Sequence, residues 1–296
     1  MKYVALFLPL LFTMGAGQAQ GKYDSKSIEI TTLAISNEPY GIIKLPRKGN
    51  RVKVKYFASK NYNGTPVADR YNNWAVGKNI VTYSSGTYMN NCNASIAQPV
   101  GLCIDQGVIV SENPTPDNLD GLMIVYATGG MAATNLDEGN LSITFSDGRR
   151  QTVDIRHNAY DLAIFKKWAQ EQEATVFQTH LFVYKDKLLV KPEASDTKQC
   201  RRFLAVCKLD NGDIVHYVLN LPTPAGIYES GKKAFAYLKD HEDVQEVIFM
   251  INLDTGCQDV FTLYDANGKE YKSRHFQGDQ RIDLKNASNI LVYYYE

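Results

Sequence analysis

From residue 27 onward the chain is mostly short runs in which apolar and polar residues take turns. Residues 27–33 (Ser-Ile-Glu-Ile-Thr-Thr-Leu) and 51–57 (Arg-Val-Lys-Val-Lys-Tyr-Phe) both alternate. That period of two marks strands with one buried face. Pro39, Gly41, Pro46 and Gly49 punctuate them. A different pattern occupies 247–251, where Val-Ile-Phe-Met-Ile is apolar without a break. Only a strand covered on both faces tolerates such a run. It ends in Asn252, Leu253 and Asp254, followed by a Thr255-Gly256 turn.

Further strands are predicted at 80–83, 99–104, 108–110, 121–126 and 289–295. Hairpins are predicted at 141–145 with 151–155, 180–184 with 188–190, and 203–207 with 214–219. Two or three helices are legible. One spans about 67–76. A second spans 158–173, with Tyr160, Ile164 and Trp168 at helical spacing and Leu162, Phe165 and Ala169 beside them. The third starts at a Ser230 cap, runs to 240, and turns Ala234, Phe235 and Leu238 inward. The units share no fixed period, so this is not a repeat array. The pattern predicts an α+β fold, a strand-rich mixed sheet core with two or three helices. The main domain is expected over 67–296. The strands within 20–66 are either an add-on or part of it.

Composition adds a destination. The chain of 296 residues opens Met1-Lys2, runs apolar over 3–13, and reaches Gly17-Gln18-Ala19. A charged start, a short apolar stretch and a small-residue cleavage point read as a signal peptide over 1–19. The apolar stretch is too short to span a bilayer, and no later stretch reads as a transmembrane segment. The expectation is an exported protein, periplasmic or extracellular. With 32 basic and 32 acidic residues it has no bulk attraction for nucleic acid or an anionic surface. The five Cys are 92, 103, 200, 207 and 257. An odd number leaves at least one unpaired, so buried thiols with at most one bridge are expected. No Cys/His spacing suggests zinc, and no cofactor motif is present, so none is expected.

Candidate chemistry gathers at two turns with the same layout: helix, strand, small-residue turn. One is Ser84-Ser85-Gly86 after 80–83; the other is Asp254-Thr255-Gly256 after 247–253. If both strands are central and parallel, the turns lie side by side; otherwise they are unrelated. A carboxylate at the end of a buried strand is costly unless paired or working. Arg201-Arg202 opens the strand 203–207. Neighbours on a strand face opposite ways, so one Arg is directed inward. An inward Arg needs an anion, either a structural carboxylate or a ligand. His180 and His216 sit in strands, as core or as site; His157 and His241 read as solvated helix ends. The run Tyr293-Tyr294-Tyr295 reads as a packed strand rather than a sugar platform.

These motifs, in order, resemble the phosphodiester glycosidase family. The matching stretches are Ser84-Ser85-Gly86-Thr87-Tyr88, Pro99-Val100-Gly101-Leu102 with Asp105-Gln106-Gly107, Gln178-Thr179-His180-Leu181, Arg201-Arg202-Phe203, and Asn252-Leu253-Asp254-Thr255-Gly256-Cys257. Ser84 and Ser85 stand where the family has Asn and Gly, and Thr255 and Cys257 where it has glycines. The resemblance implies an exported glycoside-processing hydrolase that cleaves a sugar–phosphate diester at the sugar carbon. A phosphate leaving group is already a stable anion, so one carboxylate with an anion clamp suffices where other glycosidases need two. Asp254 is then nucleophile or base, Arg202 the phosphate clamp, and His180 a proton carrier. Asn252, Ser84, Ser85, Gly86, Thr255 and Gly256 bind the carbohydrate or its developing charge. The altered turns leave an alternative, a non-catalytic carbohydrate-binding protein on the same fold.

Overall fold

The computed structural model describes residues 28–296 except 48, 50, 60–64, 94–96, 116–117, 193–196, 241–242, 258 and 279–281. The expected signal peptide and His241 lie outside the described residues. The chain begins with β1 (Glu29–Ile35), β2 (Glu38–Pro46) and β3 (Val52–Ala58). Helix α1 (Val67–Ala75) leads into β4 (Asn79–Ser84). Then come β5 (Cys103–Asp105), β6 (Val108–Ser111), β7 (Gly121–Val125), β8 (Met131–Asn135), β9 (Leu141–Thr144) and β10 (Arg150–Val153). Helix α2 (Ala159–Glu171) leads to β11 (Thr175–Tyr184), β12 (Lys187–Leu188), β13 (Gln199–Leu209) and β14 (Ile214–Ala225). Helix α3 (Ile227–Asp240) feeds β15 (Val244–Leu253), and β16 (Phe261–Leu263) and β17 (Asn289–Tyr295) follow.

The fold is α+β. An eleven-stranded sheet runs in the order β1-β2-β14-β13-β15-β11-β5-β6, with β7, β8 and β12 branching from that path. A four-stranded sheet, β16-β4-β17-β3, packs against it. The ladders among described residues are antiparallel rather than mixed. The strands within 20–66 are built into both sheets: β2 pairs with β14, and β3 pairs with β17.

Sequence period explains the layering. Val52, Val54 and Tyr56 of β3 alternate into the space between the sheets. Lys53 and Lys55 take the intervening positions. In β15, Phe249, Ile251 and Leu253 face the small sheet, while Val247 and Met250 face α3. A register shift against β13 near Ile248 brings Val247 and Met250, three apart, to one face. Both faces of β15 are therefore covered, which is why its apolar run is unbroken. Each buried side chain of this size contributes about 1.5–3 kcal/mol. The tyrosine run is a packed strand: Tyr293 and Tyr295 join the inter-sheet core, and Tyr294 joins the cluster under α1.

Two helix details differ from the pattern. In α2 the buried stripe is Phe165 and Ala169, and Tyr160 is exposed. Phe165 and Ala169 pack into one cluster with residues of β5, β9, β10 and β11. In α3, Ser230 is no cap. The helix starts at Ile227, and the Ser230 hydroxyl donates back to the Gly226 carbonyl at 2.6 Å.

Candidate functional site

The two small-residue turns do meet, though not by the expected route. β4 and β15 belong to different, stacked sheets. Their ends come together across the stack, where the Asp254 N–H donates to the Gly86 carbonyl at 3.2 Å. The disulfide Cys92–Cys257 ties the segment after the first turn to the segment after the second. Cys103, Cys200 and Cys207 are buried free thiols.

The first turn is fastened by its own backbone. Ser84 ends β4 opposite Phe261 and Leu291. The Ser85 N–H donates to the Val260 carbonyl, and Ser85 Oγ accepts from the Val260 N–H, both at 2.8 Å. The N–H groups of Gly86 and Thr87 both donate to Asn289 Oδ1. A Cβ at Gly86 would lie 2.8 Å from the Tyr56 ring and 2.9 Å from that same oxygen, so no side chain fits there. The expected anion-binding donors at Ser85 and Gly86 are therefore engaged in the scaffold. The same holds at the second turn. Thr255 Oγ1 donates to the Cys200 carbonyl at 2.6 Å, and the Gly256 N–H donates to Asp254 Oδ1 at 2.9 Å.

Arg202 departs furthest from its expected role. Its side chain has no solvent exposure and forms a two-point ion pair with Asp259, Nη1 to Oδ1 at 2.7 Å and Nη2 to Oδ2 at 3.3 Å. Nε donates to Asn220 Oδ1 at 2.9 Å, and the guanidinium lies 4.4 Å from the Phe261 ring centroid. A guanidinium so engaged has no fork to offer a phosphate. Asp259 is the structural carboxylate that an inward Arg calls for, and nothing in its spacing singles it out.

Asp254 stands apart from that pair. Its residue is 7% exposed, and burial raises its carboxyl from the usual 3.8 to about 6. The Gly256 N–H pulls it down, Asp259 pushes it up, and Arg202 pulls it down. The result is an acid able to exchange a proton near neutral pH.

Asn252 and Tyr88 complete this corner. Asn252 pairs with His180 on β11 and with Phe203 on β13, so the three share a face. Asn252 Nδ2 donates to the Tyr88 hydroxyl and to the Leu253 carbonyl. Asn252 Oδ1 is buried and has no protein donor. The Tyr88 hydroxyl is pushed up by burial and by the nearby Asp254 carboxylate. Arg201, on the face opposite Arg202, donates to the carbonyls of Ala225 and Thr197. Its charge reaches Tyr88 and His180.

His180 does not suit the proton-carrier role. Burial lowers its pKa to about 4, with Asp120 opposing and Arg201 assisting, so the ring is neutral at pH 7. His216 is a core residue, its Nδ1 2.9 Å from the Tyr293 hydroxyl. His157 is solvent-exposed beside Asp154. Tyr88 was present in the first motif without a role. Its signal, one aromatic closing a run of small residues, acquires meaning only once the two turns are seen to meet. Among the described residues no helix is long and apolar enough to cross a membrane, and no cluster of three His, Cys, Asp or Glu is placed to hold a metal.

No protein-family model and no curated protein matches this sequence. Solved structures do. The crystal structure of a hypothetical protein from Synechocystis superposes with a TM-score of 0.51 at 11% identity, over 92% of this chain. The chain spans 62% of the length of that structure. The zebrafish N-acetylglucosamine-1-phosphodiester alpha-N-acetylglucosaminidase catalytic domain, auto-inhibited by pro-peptide, superposes with a TM-score of 0.48 at 12% identity. That match covers 94% of this chain and 87% of the other. At such identities the likeness is one of fold.

Proposed function

We propose that this protein is an exported hydrolase acting at a glycosidic carbon, with Asp254 as its acid–base or nucleophilic carboxyl. The observation that carries the reading is Asp254 itself, a single unpaired-by-Arg carboxyl at a strand end with its pKa raised to about 6. The neighbouring Tyr88 hydroxyl and Asn252 amide supply polar contacts for sugar hydroxyls. The resemblance in sequence motifs supports a sugar–phosphate diester as the substrate class. A phosphate departs without a second acid, which fits a corner holding one such carboxyl. Arg202 being sealed against Asp259, Arg201 is assigned as the cation that steers the phosphate. Export rests on the leader-like 1–19 and on a disulfide, which persists in oxidising compartments.

The test is a screen of the purified protein against sugar-1-phosphodiesters and ordinary glycosides, repeated with Asp254→Asn and Arg201→Met. Turnover falls by about 10²–10⁴ in Asp254→Asn if the carboxyl works as assigned. Arg201→Met raises KM for the phosphodiesters and spares neutral glycosides. Diester cleavage persisting in Asp254→Asn overturns the assignment.

One observation favours a second reading, a carbohydrate-binding protein without turnover. The turn N–H groups that would stabilise developing charge are engaged internally at Ser85, Gly86 and Gly256. Equal sugar affinity in wild type and Asp254→Asn, with no turnover in either, selects it.

A further inference from the structure

A cavity lies at the other end of the inter-sheet seam. Arg202, near the Asp254 turn, pairs with Asn220 towards the end of β14, whereas His216 sits near its start, opposite Val206. Beside His216 is a cavity of about 390 Å³, lined in part by Arg47, Gly49, Gly130, Gly212, Asp213 and His216. This volume suits a small molecule.

Arg47 bridges the two sheets. Its N–H donates to the Ile214 carbonyl at 2.8 Å on β14, and Nη1 donates to the Val52 carbonyl on β3. The side chain is partly buried, and burial lowers its pKa, with the Tyr293 and Tyr294 hydroxyls favouring its charge. A guanidinium taken out of water calls for an anion. The carboxylates nearby have other partners: Glu296 is held by Lys53, and Asp213 accepts from Asn211 Nδ2 at 3.1 Å. His216 is 2% exposed and its Nδ1 faces the Tyr293 hydroxyl, leaving Nε2 as the ring nitrogen for a ligand. Gly130 keeps the space by the guanidinium open; a Cβ there would sit 4.0 Å from Arg47 Nη2.

From this geometry we infer a binding site for a small oxyanion, a carboxylate or a phosphate, held by the Arg47 fork and the His216 ring. The planar fork matches either anion in two-point fashion. Asp213 also lines the cavity. The site is independent of the Asp254 corner.

Thermal unfolding of the whole protein with inorganic phosphate or malonate, at ionic strength held constant with chloride, tests it. A ligand that binds only the folded state raises Tm saturably. The expected result is such a rise in wild type and in Asp254→Asn. Arg47→Met weakens the apparent affinity at least tenfold. Gly130→Leu does the same by filling the space, and its Cβ meets the nearest atom, in the Tyr126 ring, at an ordinary 3.4 Å. A response to phosphate alone assigns a phosphate ligand, and one to malonate alone a carboxylate. No response in wild type, or a response undiminished in both variants, overturns the inference.

Discussion

Asp254 and Asp259 lie five positions apart, after the same buried strand, and meet opposite fates. Asp259 is 1% exposed and has a guanidinium against both its oxygens. Asp254 is 7% exposed and has a single backbone N–H on one oxygen. Both left water; only one was compensated. A buried charge with a counter-ion serves the fold, whereas an unmatched carboxyl is pushed towards neutral pH and becomes usable for proton transfer. Burial alone does not tell these two acids apart; the partner does.

The largest effect expected is on the matched side. Asp259→Ala leaves Arg202 charged and fully buried without its counter-ion, costing about 3–5 kcal/mol. Urea unfolding measures it. The double change Arg202→Met with Asp259→Leu recovers most of that loss, because an apolar pair of similar volume avoids the desolvation penalty. If Asp259→Ala lost under 1 kcal/mol, the contrast between the two acids would collapse.

Next is the tie between the turns. Cys92–Cys257 closes a separation of 165 residues. Cys92→Ser, or mild reduction, is expected to cost about 2–4 kcal/mol in the same unfolding assay. The other three thiols are buried and contribute nothing to the difference. A reductant-insensitive midpoint would show that the turns stay together without the bridge.

On the unmatched side the sign reverses. The Asp254 pKa is raised from 3.8 to about 6 in the fold. Such a group favours folding in its protonated form, below pH 3.8, and that contribution is lost as pH rises through about 6. Asparagine cannot ionise. Asp254→Asn should therefore be more stable than wild type at pH 8 by about 1–3 kcal/mol, with the difference largely gone at pH 4. Opposite signs for Asp254→Asn and Asp259→Ala at pH 8 are the sharpest expression of the contrast. Destabilisation by Asp254→Asn at pH 8 would break it.

Much of the scaffold was readable from residue patterns. Residues 247–251 announced a strand covered on both faces, and β15 lies between β11 and β13 with α3 on one side and the small sheet on the other. Asn158 marked the start of α2 and caps it, accepting from the N–H groups of Tyr160 and Asp161. The single disulfide was within the count, its pairing was not. What a linear pattern omits is which sheet a strand joins. β4 and β15 look alike as segments, yet strand pairing placed them in separate sheets. The same limit hid the partner of Arg202. Strand alternation says that a side chain points inward, but Asp259 reaches it from a loop, and loops carry no period. The turn donors failed for a related reason: Asn289, 203 residues beyond Gly86, occupies them.

The smallest effect probes the polar contact beside Asp254. Tyr88→Phe removes the hydroxyl that accepts from Asn252 Nδ2, while Nδ2 keeps the Leu253 carbonyl at 3.1 Å. One such hydrogen bond is worth about 0.5–1.5 kcal/mol, so the fold barely registers the change. The Asn252 amide, no longer held by Tyr88, is free to turn about its side chain, and its buried Oδ1 loses its fixed aim. If that oxygen receives a sugar hydroxyl, KM rises several-fold with kcat little altered, because ground-state and transition-state binding fall together. If instead kcat falls while KM holds, the hydroxyl acts on Asp254 in the transition state rather than through Asn252. If neither moves, Tyr88 belongs with Asp259 among the groups that only hold the two turns in place.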